Sequence, residues 1–151
     1  MRLAACSVFV VLGAIVTARA QTAAPASVDA CSLLTKEDAT AALGEAVTGP
    51  KATKSPNGPS ACEFTGSGLH TINLIVRTLT AAEASVYKGL CAKKTHDGLT
   101  GLGETSCWYN EKHEELQVMK GLTMFSIEMR RSGDPTEAIK AVAQKVYARV
   151  K

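Results

Sequence analysis

The feature that most constrains this chain is its cysteine pattern read together with its first twenty residues. Met1-Arg2 gives a positive start, Leu3 to Val16 an apolar run, and Ala18 and Ala20 a small-x-small ending. This is the pattern of a cleaved export signal, so residues 1–20 read as a signal peptide and Gln21 as the mature N-terminus. A bilayer span needs roughly 20 apolar residues, and Arg19 interrupts the run, so no integral span is expected after cleavage. Cys6 leaves with the signal, and Cys31, Cys62, Cys91 and Cys107 remain. An even number of cysteines in an oxidising compartment is expected to pair.

Three connectivities are possible. Cys31–Cys62 with Cys91–Cys107 is favoured, because each pair joins neighbouring elements and the loops do not cross. A closed loop of about 30 residues stabilises by roughly 3–4 kcal/mol on the chain-entropy account, a large share of the margin of a small domain. There is no C-x-x-C, and the spacings match no zinc finger or thioredoxin motif. With all four cysteines paired, no thiol is left for nucleophilic catalysis.

The rest of the 151-residue chain is one domain's worth. Its 17 Lys and Arg, less Arg2 and Arg19, nearly balance 14 Asp and Glu. Nucleic-acid binding is therefore not expected, since it needs concentrated cation. Residues 21–28 are small, polar and Pro-containing and read as a flexible leader, which leaves 29–151 as the domain.

Thr35-Lys-Glu-Asp38 is a capping box ahead of Ala39, Ala42 and Leu43, with Gly44 as a left-handed stop. Residues 48–60, rich in Gly and Pro, read as the longest loop. Strands follow at Ala61 to Thr65 and Thr71 to Leu79, the second with Ile72, Leu74 and Val76 on one face and Asn73 and Arg77 on the other. Thr80-Ala-Ala-Glu83 caps a helix over about 81–93, with Val86 and Leu90 one turn apart. Three further strands are expected at Thr105 to Tyr109, Glu115 to Met119 and Leu122 to Arg130. A last helix starts at Asp134-Pro135-Thr136-Glu137, with Ile139, Val142, Val146 and Val150 on its apolar face. The order α-β-β-α-β-β-β-α predicts an α+β fold, an antiparallel sheet of about five strands with helices packed on one face.

The segments Asp29-Ala-Cys-Ser-Leu-Leu-Thr-Lys-Glu-Asp38, Ala61-Cys-Glu-Phe64 and Leu99-Thr-Gly-Leu-Gly-Glu-Thr-Ser-Cys-Trp108 resemble small exported bacterial domains of unknown function. They are similar to actinobacterial lipoprotein-type domains with an opening Cys-x-Leu-Leu helix segment. The resemblance spans nearly all of residues 29–150 and implies a helix-and-sheet sandwich. It brings no catalytic residues, and this chain lacks a properly placed acylated cysteine.

Catalytic motifs are scarce. His70, His96 and His113 fall on turns or loops, and His113-Glu114-Glu115 lacks the second histidine of a zinc-protease helix. His96, Asp97 and Glu104 could meet at a weak metal site only if their loop folds back. No G-x-S-x-G elbow or G-x-G-x-x-G fingerprint occurs, so neither a cofactor nor a metal is expected. Of Trp108 and Tyr109, one ring should point inward and the other outward, where it could anchor a partner. The expected function is a non-enzymatic binding or accessory domain for an envelope protein, peptide or small ligand, in the periplasm or secreted. Its candidate contacts are Asn73, Arg77 and Tyr109 on the outer sheet face, or the Pro-rich loop. The alternative is a small periplasmic hydrolase or weak metal binder using the histidines.

Overall fold

The computed structural model describes residues 28–151 except 57, 97, 98 and 104. The predicted signal peptide, residues 21–27 of the leader, and Asp97 and Glu104 of the conceivable metal site lie outside the described residues. A 3-10 turn, Ala30–Ser32, leads into α1 (Lys36–Leu43), then β1 (Thr48–Lys54), β2 (Ser60–Thr65), β3 (Thr71–Thr78), α2 (Ala81–Cys91), β4 (Thr105–Trp108), β5 (Glu115–Lys120), β6 (Thr123–Arg130) and α3 (Thr136–Arg149). The strands form one antiparallel sheet in the order β1-β2-β3-β6-β5-β4.

Alternation along each strand sends one side-chain set inward. A single transverse row, Cys62, Leu74, Ile127, Leu116 and Trp108, crosses five strands, and every member is buried. Phe64, Ile72 and Met129 form the row on one side of it, and Val76, Phe125 and Val118 the row on the other. Onto this face pack Ala39, Ala42 and Leu43 of α1 and Ile139, Val142, Ala143 and Val146 of α3.

The helix starts follow the expected chemistry. Thr35 and Asp38 complete the capping box of α1, and Gly44 closes it at φ 73°. Thr80 and Glu83 do the same for α2. At α3, Pro135 takes the cap position instead of the first helical one, while Asp134 Oδ1 still accepts from the Thr136 N–H at 2.9 Å.

Cys31 and Cys62 lie at disulfide distance with Cα atoms 5.0 Å apart, and Cys91 and Cys107 with Cα atoms 5.6 Å apart. The first pair, with the Ala30 N–H donating to the buried Ser60 Oγ at 3.0 Å, fixes the 3-10 turn over β2.

The structure corrects two expectations. The sheet has six strands, because β1 occupies most of the stretch read as a loop. Gly49 and Pro50 sit in an irregularity between Thr48 and Lys51, and an edge strand tolerates a proline because its outer side owes no ladder hydrogen bond. Past that point Lys51 pairs opposite Glu63 and Ala52 opposite Cys62.

The helices do not share one face. Cys107 alternates with the inward Trp108 and so points outward, and its bond to Cys91 holds the end of α2 on the outer side. There Ala84 and Tyr87 pack with Leu79, Met119 and Met124. Val86 and Leu90 consequently face solvent, 64% and 58% exposed.

Candidate functional site

The predicted contact residues all map to the outer side of the sheet, but not to one spot. Asn73 lies in a transverse row with Glu63, Glu128 and Glu115, and the Tyr109 N–H donates to the Glu115 carbonyl at 2.9 Å, which places Tyr109 at the end of that row. Tyr109 is half exposed, with Lys94 Nζ 4.8 Å from its ring centroid. Arg77 lies in another row, opposite Met124, and is engaged by Glu83 of α2 at 3.2 Å. This face is mixed in charge, since Lys51 stands 4.0 Å from Glu63 and Arg130 3.0 Å from Glu128.

The three histidines occupy different surroundings. His96 Nδ1 lies 2.6 Å from the Ser106 carbonyl oxygen. His113, left-handed at φ 55°, stacks on Trp108 with ring centroids 4.5 Å apart and faces Thr136 Oγ1 at 3.4 Å. Among the described residues no group of three or more His, Cys, Asp or Glu is placed to hold a metal.

Among the described residues, His70 is the one drawn into a polar constellation. It sits where the β2–β3 turn enters β3, and its ring reaches two other connections. Nδ1 is 2.8 Å from Glu45 Oε1, just past the α1 stop, and Nε2 is 3.0 Å from Ser132 Oγ, just past β6. The Ser132 N–H also donates to Nε2 at 3.1 Å. A backbone N–H can only donate, so Nε2 presents its lone pair and the ring proton resides on Nδ1, facing Glu45.

Glu45 is itself fixed, because it accepts from the Ser67 N–H at 3.0 Å and from the Ser67 hydroxyl. The Ser67 hydroxyl, and then His70, hold its carboxyl below the usual carboxylate range. Gly66 makes room for it, since a Cβ at that position would fall 2.2 Å from Glu45 Oε1.

Beside this relay opens a cavity of about 500 Å³ lined by Thr65, Leu69, His70, Arg130, Arg131 and Ser132 among others. Leu69, 87% exposed, is its apolar lip. Arg131 braces the far wall, donating to the Ala42 and Ser132 carbonyls at 2.7 and 3.3 Å. Two further cavities, of about 430 and 330 Å³, flank Lys88, and among the described residues neither presents an acid–imidazole–hydroxyl chain.

Sequence reasoning named His70 but missed Glu45 and Ser132. Their separations of 25 and 62 residues from it carry no periodic signal. No protein-family model, curated protein or solved structure matches this chain.

Proposed function

We propose that this chain is an exported binding domain of the cell envelope, taking a small ligand or short peptide in the cleft between Leu69, His70, Arg130 and Ser132. The observation that carries the reading is convergence. Separate parts of the chain bring an imidazole, hydroxyls and guanidinium groups to the lining of one cavity with an apolar lip, and the Glu45 carboxylate stands behind the imidazole. Binding sites are usually concavities with a few such polar groups.

Export is supported by the predicted signal and by two cysteine pairs at disulfide distance. No described helix is long and apolar enough to cross a membrane.

Native mass spectrometry of the protein recovered from its own envelope tests this reading. A retained non-covalent mass that Leu69→Asp removes without lowering the melting temperature is expected. A bare chain that also shows no shift of His70 or Ser132 resonances in a fragment screen by NMR would remove the cleft.

A second reading places a protein partner on the outer sheet face. It is favoured by the apolar packing of α2, which is confined to Leu79, Met119 and Met124 and leaves β1 and β2 without it. Asn73→Ala is the cleaner probe there, because Arg77 also supports α2 through Glu83.

A further inference from the structure

The order of groups in the cleft is that of a hydrolytic relay: hydroxyl, imidazole, carboxylate. The two contacts that such a relay requires are both made, 3.0 Å from Ser132 Oγ to His70 Nε2 and 2.8 Å from His70 Nδ1 to Glu45. The tautomer is the productive one, since the Ser132 N–H already marks Nε2 as the unprotonated nitrogen. The hydroxyl is exposed at the cavity wall, where a substrate can reach it. The next residue, Gly133, is left-handed at φ 79°, and its N–H donates to no group among the described residues. An N–H just after the nucleophile is a recurrent oxyanion donor in serine hydrolases.

We propose that the cleft hydrolyses short-chain carboxylic esters, with Ser132 as nucleophile, His70 as general base and then acid, and Glu45 as the positioning carboxylate. The proposal rests on the cleft being a ligand site. Ser132 Oγ bonds to the ester carbonyl carbon while its proton passes to His70 Nε2, and the carbonyl oxygen takes the negative charge. Once Nε2 carries a proton it can no longer accept from the Ser132 N–H, so that donor is released alongside Gly133's to meet the oxyanion. The carbon–alkoxide bond then breaks, and the leaving oxygen takes the proton from Nε2. Water attacks the acyl carbon, gives one proton to Nε2, and the Ser132 oxygen leaves with it, freeing the acid. Water is the only co-reactant. The substrate class follows from the walls: Leu69 offers one small apolar contact, suited to a short acyl chain, and Arg131, which meets only carbonyls among the described residues while Arg130 is engaged by Glu128, favours an ester whose other part is anionic.

The test uses the purified, oxidised chain with a fluorophosphonate, which labels activated serines, and with p-nitrophenyl butyrate. A single adduct mapped to Ser132 is expected, and Ser132→Ala and His70→Ala should lose it along with about a hundredfold or more of the turnover. Glu45→Gln should slow labelling, with Glu45→Asp recovering part of the rate, a pattern that loss of folding would not produce. Melting curves and far-ultraviolet circular dichroism establish that each variant is folded. Absence of an adduct on folded wild-type protein, or equal labelling of His70→Ala, would overturn the proposal. If Leu69-dependent ligand binding persists in that case, acyl transfer falls and the binding reading stands. If binding is also absent, both fall.

Discussion

Asp38 is 4% exposed, and its carboxylate serves two ends of the chain at once. It completes the α1 capping box with Thr35, and it accepts from Lys145 Nζ at 2.9 Å and from the Arg149 guanidinium. Burial alone would raise its pKa, but Arg149, then Lys145 and Thr35, hold it far below the usual carboxylate range. Asp38→Ala removes a cap and two charge-assisted bonds, while the cations it strands, Lys145 and Arg149, are 51% and 35% exposed and can rehydrate. The expected loss is therefore about 2–4 kcal/mol, read from urea unfolding. The capping box was legible in four consecutive residues. The ion pairs were not, because Lys145 and Arg149 lie 107 and 111 residues away and sequence gives no register between α1 and α3. Gly66 is a similar case. It reads as a turn glycine, yet the space it leaves is filled by Glu45. Gly66→Ala should displace that carboxylate and slow Ser132 labelling by about tenfold, with little change in melting temperature.

At the scale of elements, α2 shows how a helical period can be right without naming the face that is buried. Val86 and Leu90 are one turn apart, but so are Ala84, Tyr87 and Cys91, and only the second stripe meets the sheet. The choice is made by Cys107, whose outward direction follows from its neighbour Trp108 taking the inward place. Replacing Val86 and Leu90 with Ser should therefore change stability by no more than about 0.5 kcal/mol each, as for exposed positions. Converting Cys91 and Cys107 to Ala should cost about 3 kcal/mol, the chain-entropy value for a loop of this length. Chemical denaturation of both variants separates the two stripes. β1 failed differently. Gly and Pro were read as loop because a central strand excludes them, and the sequence does not say which strand lies at the edge. With β1 restored, the chain becomes two successive three-stranded meanders, each preceded by a helix, whose last strands β3 and β6 meet at the sheet centre.

Over the whole molecule, carboxylates act as joints, two of them between distant parts of the chain and one at a helix entry. Asp38 ties α1 to α3, Glu45 ties the end of α1 to the β2–β3 turn, and Asp134 fixes the entry to α3 with Thr136. All three are held below their ordinary range, Asp134 chiefly by the Thr136 hydroxyl and Glu45 chiefly by the Ser67 hydroxyl. A depressed carboxyl binds fewer protons in the folded than in the unfolded chain at any pH between its two pKa values, so acid favours unfolding. The stabilisation is complete above the unfolded values, 3.8 for Asp and 4.5 for Glu, and fades as pH falls through the lower folded ones. Urea midpoints should thus be flat from about pH 7 down to about pH 5 where these groups alone are concerned, then drop steeply. Asp38→Asn should lower the neutral plateau and flatten the acid limb, because it removes the largest of the three depressions. Glu45→Gln should flatten the limb less, since its depression is the smaller one. An unchanged acid limb in Asp38→Asn would mean that the α1–α3 joint is not what acid breaks, and would turn attention to the Glu45–His70 clasp at the other end of α1.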